Sequence, residues 1–212
     1  MTAPDAELRL VWQHAVGRGH DEAFERLLGH HREPHRRYHT ATHVLCVCRH
    51  VAALAANHPV DDLAVVEAAA LFHDAVYDPH STTNERDSAR LAAQTLRDAG
   101  WTDARTDEAA RLIELTAAHA SPGDDDVSAA VLLDADLAIL GAEPAAYAAY
   151  VSGVRAEYAH VGDEAWRTGR ARVLNHFLGQ PAIYATATMR AERAARARAN
   201  LTAELAALEE SD

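Results

Sequence analysis

The sequence predicts an all-helical protein folded as one domain. Alanine, leucine and valine dominate, while 212 residues hold only 10 glycines and 7 prolines. Apolar residues recur with a period near 3.6, and nowhere do β-branched or aromatic residues alternate with polar ones for long. The length suits a single domain with a sizeable core, 1–212, and no stretch is wide enough to serve as a linker.

Ten helices follow from this pattern, near residues 4–16, 20–29, 40–57, 62–76, 84–99, 103–119, 126–141, 144–160, 163–179 and 190–209. The N-terminal MTAPDAELRL has no basic start followed by an apolar core, so no export signal is read there. In the third helix Cys46 and Cys48 sit two apart, point to different sides, and read as small core residues of a reducing compartment. Asp61 marks the start of the fourth helix, whose second half is almost wholly apolar. Asn84 caps the fifth, with Glu85 and Asp87 in its first turn and Gly100 after its last. The sixth ends LIELTAAHA, and the seventh contains VLLDADLAIL. Pro144 opens the eighth. The tenth carries Arg190, Arg193, Arg196 and Arg198, read as a solvated face or as a contact between copies of the chain.

The formal charge of −12 repels a nucleic-acid backbone and disfavours polymeric DNA or RNA as a partner, whereas a small anionic substrate is compatible with it. All 20 basic residues are arginine. Without lysine there is no Walker-type phosphate loop and no Schiff-base chemistry. The longest apolar region, Val51 to His73, is interrupted by Asn57, Pro59, Asp61 and Asp62, so the expectation is a cytoplasmic protein without a membrane anchor.

Chemistry concentrates where polar residues interrupt apolar helices. His73 and Asp74 stand side by side at the end of DDLAVVEAAALFHDAVYD, a pair costly to bury without partners. Asp134 and Asp136 interrupt VLLDADLAIL, and RYHTATHVLCV brings His39 and His43. Three helices thus offer imidazole and carboxylate groups to one interior point. Such a mixed set suits divalent Mn, Fe, Co, Ni or Zn, with Mg admitted by its carboxylates, and four ligands leave positions for water and substrate.

This ordered set, a His on one helix, an adjacent His-Asp on the next and a distant Asp, resembles the HD-domain superfamily of metal-dependent phosphohydrolases. The resemblance covers about residues 36–141, and it implies an HD-type helical bundle flanked by additional helices at both ends. It also implies His43, His73, Asp74 and Asp136 as metal ligands. Asp136 fits the family's Ala-Asp-x-Leu pattern. Asp134, two positions away and facing roughly 200° round the helix, is the alternative, with capping as its structural role.

In similar enzymes an acid soon after the His-Asp pair orients the attacking water, which nominates Asp78 and Glu85 beside Asp74 as catalytic groups. Against that, Asp78-Pro79 starts a turn well and Glu85 complements a helix N-terminus. His39, one turn before His43, and His119, at the end of its helix, are expected at the substrate. The basic run HHREPHRRYH places Arg36, Arg37 and Tyr38 where a substrate phosphate could be received, Arg37 and Tyr38 being retained as binding residues. The implied activity is hydrolysis of a small phosphate ester or anhydride, a nucleotide or related phosphometabolite. Two other readings stand beside it: a dinuclear-iron oxygenase drawing on His80, His119 or His160, and a non-catalytic nucleotide-binding module.

Overall fold

The computed structural model describes residues 3–119, 122–123 and 125–210, and among them every regular element is helical. The ten helices are α1 (Ala3–Ala15), α2 (Asp21–His30), α3 (Ala41–Ala55), α4 (Leu63–Phe72), α5 (Asn84–Asp98), α6 (Asp103–Leu115), α7 (Val127–Asp136), α8 (Pro144–Glu157), α9 (Asp163–Gly179) and α10 (Ala187–Glu209). No helix among the described residues is long and apolar enough to cross a membrane.

All the expected helices form, and the differences lie at their ends. The stretch expected as one helix over 126–141 is α7 followed by a tighter 3-10 turn, Leu137–Gly141. Helix α4 closes at Phe72, so His73 and Asp74 lie just beyond its regular part. Its cap is Asp62, whose carboxylate accepts from the Val65 amide at 3.3 Å, rather than Asp61. Asn84 is not a cap either: it pairs with the Asp78 backbone in both directions, each at 3.0 Å, and closes the loop before α5. Cys48 is buried and Cys46 exposed, so only the first is a core residue.

Helix α4 is the hub. Every residue from Val65 to Phe72 is buried, and it packs against α1, α3, α5, α6 and α7. A helix apolar on all sides belongs in a core, where each large side chain contributes about 1.5–3 kcal/mol. Its C-terminal carbonyls are therefore beyond the reach of water and need protein donors. His31 Nε2–H donates to Leu71 O at 3.0 Å. The buried Arg36 guanidinium donates to Asp74 O at 2.7 Å and Ala75 O at 3.0 Å. Burial first, and the Arg36 charge second, lower His31 to about 3, which keeps it neutral. Arg36 is thus the cap of α4 and is unavailable to a substrate phosphate.

The arginines of α10 likewise have partners within the chain, and of the four read as a solvated face or contact between copies Arg193 and Arg198 are half-buried while Arg190 is exposed. Arg193 donates to Ala138 O at 3.2 Å, Arg198 to Leu178 O at 3.1 Å and Gln180 O at 3.0 Å, and Arg190 and Arg196 reach Ala185 O and Glu143. Arg193 and Arg198 staple α10 onto the 3-10 turn and the end of α9. The approach is close enough that a Cβ on Gly141 would stand 2.6 Å from Arg193 Cβ and 2.9 Å from Arg193 O. Because those are atoms of a helix backbone and stem, they cannot give way cheaply. Gly141→Ala is expected to cost about 1–3 kcal/mol, read as a lowered thermal midpoint by circular dichroism; an unchanged midpoint would mean that α10 docks less rigidly than described.

Candidate metal centre and cleft

His43 comes from the first turn of α3, His73 and Asp74 from the turn after α4, and Asp136 from the last residue of α7. The packing of α3 against both α4 and α7 brings them together. His43 Nε2 is 3.1 Å from His73 Nε2, 3.4 Å from Asp74 Oδ2 and 3.2 Å from Asp136 Oδ1. His73 Nε2 stands 3.2 Å from Asp74 Oδ2 and 3.5 Å from Asp136 Oδ1. Donor atoms sharing a cation at about 2.0–2.2 Å stand about 2.9–3.6 Å apart in tetrahedral or octahedral shells, so these separations fit one ion held by His43, His73 and Asp74, whose donor atoms all lie within 4.8 Å of one another, with Asp136 Oδ1 beside the two histidines. The tautomer fits too, because His73 Nδ1–H donates to Ala70 O at 2.9 Å and leaves the Nε2 lone pair facing the cluster.

Asp134 faces elsewhere. Its buried carboxylate accepts from the amides of Ala185 and Thr186, both at 2.7 Å, and so holds the segment leading into α10. Burial raises its pKa, against those bonds. The two acids of Asp-Ala-Asp are thereby separated, one anchoring a helix and the other joining the histidines.

The cluster is strongly coupled electrostatically. Burial would lower His43 and His73, yet the Asp136 and Asp74 carboxylates override it and raise both. Burial would raise Asp74 and Asp136, yet His73, with His39 for the former and His119 for the latter, holds both well below the usual carboxylate range. A buried group of this composition stabilises positive charge at its centre.

Around the four donors lies a set of positioning contacts. His119 Nε2 is 2.9 Å from Asp136 Oδ2, on the side of that carboxylate away from the histidines. It is held there by a left-handed backbone conformation, φ 44°, after α6. Tyr38 packs its ring 4.7 Å from both His43 and Tyr150. The buried Glu157 at the end of α8 accepts on Oε1 from the amides of Arg37, Tyr38 and His39 at 2.7, 2.8 and 3.0 Å. On Oε2 it accepts from His39 Nδ1–H at 2.7 Å and the Tyr77 hydroxyl at 3.0 Å. One carboxylate therefore fixes the whole segment entering α3. His39 stacks on Tyr77 at 4.2 Å between ring centroids.

A cleft of about 660 Å³ opens onto Asp74 and Asp136. Tyr38, His39, Glu85 and His119 line it, so these four expected site residues share one space with Asp74 and Asp136. Asp78 and Arg37 do not. Asp78 is exposed, with Oδ1 accepting from the His80 amide at 2.9 Å and paired with its ring at 3.0 Å, as a turn-forming aspartate does. The exposed Arg37 guanidinium donates through Nη1 to the carbonyls of Pro34 and Arg36, at 2.5 and 2.9 Å, and lines a neighbouring cavity of about 510 Å³ that Tyr38, His43 and Asp136 also line. His80 and His160, considered as ligands of a second metal, stack on each other at 3.8 Å on the surface.

Several lining groups have no signal in sequence spacing, among them Tyr150 from α8 and Arg172, His176 and Phe177 from α9. Glu157, at the end of α8, likewise has no signal in sequence spacing.

Compared with known proteins, residues 40–142 match the family model described as HD domain. No curated protein and no solved structure matches the chain.

Proposed function

Given that the chain belongs to the HD-domain superfamily, we propose that it is a metal-dependent phosphohydrolase acting on a small phosphate ester or anhydride, a nucleotide or related phosphometabolite. The observation that carries this is the meeting of donor atoms from His43, His73 and Asp74 within 4.8 Å of one another, with Asp136 Oδ1 at 3.2 and 3.5 Å from the two histidines, beside an open cleft that Asp74 and Asp136 line. A divalent ion held by them supplies a Lewis acid that polarises a phosphoryl oxygen and acidifies water.

The remaining groups bind and orient. Glu85, half-buried in the first turn of α5 and facing the cleft, receives the proton of the attacking water through its carboxylate. His39 and Tyr38, fixed through Glu157, contact the substrate phosphate. His119 holds Asp136 in the orientation that turns Oδ1 towards the histidines. Asp78 has no role in this reading, because it is exposed and does not line the cleft, and Arg37 lines only the neighbouring cavity on the His43 and Asp136 side.

Protein purified without added metal is expected to retain close to one equivalent of a divalent transition ion by elemental analysis. It should release phosphate from at least one member of a panel of small phosphate esters and nucleotides. Absence of bound metal together with no turnover under added Mn²⁺, Co²⁺, Zn²⁺ or Mg²⁺ would refute the proposal.

A further inference from the structure

Resting on that reading, the geometry points to a second anion-binding position in the cleft, made by Arg172 and His176, so that the substrate carries a second negative group on the part that leaves. Three observations lead there. Arg172 is the one arginine among the described residues lining the cleft, and it is exposed with no hydrogen bond or ion pair to any described residue. In a chain of charge −12, where most arginines are held by carboxylates or helix carbonyls, an uncommitted guanidinium facing a cleft lined by Asp74, Asp136 and Glu85 is conspicuous in its chemistry. It supplies positive charge that no described carboxylate pairs with.

The second observation is the face of α9 to which it belongs. Arg172 and His176 are one turn apart and lie on the same side of the helix. Gln180 Nε2 stands 3.0 Å from His176 Nε2; with the amide as donor, the neutral imidazole carries its proton on Nδ1 as a donor for a ligand. The pair presents a fork of guanidinium N–H groups and one ring N–H, a combination suited to phosphate or carboxylate oxygens.

The third is what separates this pair from the metal ligands. Phe177, next to His176, is buried with its ring 5.9 Å from that of His119, which bonds Asp136. Ile139, Leu140 and Val173 also line the space. A polar end at the metal and a cationic end on α9 are therefore bridged by an apolar and aromatic wall. A matching ligand has a phosphoryl group, a flat or apolar spacer, and a second anion, either phosphate or carboxylate. Arg172 and His176 lie outside residues 40–142, so this selectivity belongs to the C-terminal helices and not to the matched domain.

The test compares phenyl phosphate with 1,4-phenylene bisphosphate and 4-carboxyphenyl phosphate, which add a distal anion on the same ring. Affinity is measured by calorimetry on Mn²⁺-loaded full-length protein, with KM and kcat where turnover occurs. Wild type is expected to bind at least one of the two bifunctional compounds about 10–100-fold more tightly than phenyl phosphate, as a charge-assisted contact allows. Which of them gains identifies the distal group as phosphate or carboxylate. The ratio should fall towards one in Arg172→Gln and recover partly in Arg172→Lys, with the change in KM rather than kcat. Equal affinities for all three compounds in wild type, or a ratio that survives Arg172→Gln, would overturn the inference. If Mn²⁺ fails to load, the phosphohydrolase reading itself fails first, so the two failures are distinguishable.

Discussion

Asp74→Ala is expected to abolish metal-dependent phosphate release while leaving the helical fold largely intact. The Asp74 carboxylate lies 3.2 Å from His73 Nε2 and 3.4 Å from His43 Nε2, and it contributes an anionic donor rather than apolar packing. Loss of a group that merely orients a metal ligand commonly costs about 10–100-fold in affinity or activity, so removal of a ligand should exceed about 100-fold. Some destabilisation accompanies it, because bound metal favours the folded state in proportion to its concentration and affinity. The Asp74 backbone carbonyl, held by Arg36 at 2.7 Å, is untouched by the substitution, so the end of α4 keeps its cap. The comparison needs circular dichroism to verify folding, and Mn²⁺, Co²⁺ and Mg²⁺ each in excess. Wild-type turnover in a folded variant under all three metals would place catalysis elsewhere in the molecule.

The local physics of helices was largely legible in the sequence, and what could not be read depends on how distant helices dock. Period and composition were sufficient for ten helices and no strand, because both signals are local. The resemblance singled out His43, His73, Asp74 and Asp136, and these are the side chains that the packing of α3, α4 and α7 brings together. Spacing alone said that Asp134 and Asp136 face apart. It could not say which joins the histidines, since that follows from α10 arriving with the Ala185 and Thr186 amides at Asp134.

The misreadings have the same origin. Arg36 read as a phosphate receptor because basic residues near a ligand helix suggest one. Its guanidinium instead meets Asp74 O and Ala75 O, because α4 ends inside the core, where water cannot serve those carbonyls. The arginines of α10 read as surface because their spacing is polar and regular, yet two of them, Arg193 and Arg198, reach the 3-10 turn and the end of α9. Asp78 and Glu85 were indistinguishable as acids following His-Asp; the Asn84 clasp on the Asp78 backbone turns one outward and sets the other in the cleft. The largest omission, Glu157, is 118 residues from the His39 amide that it accepts, and no periodicity spans that interval.

Glu157→Gln is expected to destabilise the protein by about 3 kcal/mol near neutral pH, and by much less in acid. In the folded protein burial works against the Glu157 charge, but His39 and the amides of Arg37 and Tyr38 prevail and lower its pKa from 4.5 to about 2. An unfolded chain therefore takes up this proton first as pH falls. The stabilisation is fully present above about pH 5, drains as pH falls through 4.5, and is exhausted once the folded group also protonates near 2. About three-fifths of it is gone by pH 3. Glutamine keeps the shape but not the charge, and its amide N–H groups would face the His39 and Tyr77 donors now satisfied by Oε2. Urea titrations of wild type and variant, both with metal chelated so that metal linkage does not contribute, should give a stability difference that shrinks steeply between pH 6 and pH 3. The other carboxylates titrate equally in both proteins and cancel in that difference, provided they do not couple to Glu157. A difference that stays constant over this range would show that the carboxylate holds the 37–39 segment by shape alone, and that its charge adds nothing to the fold.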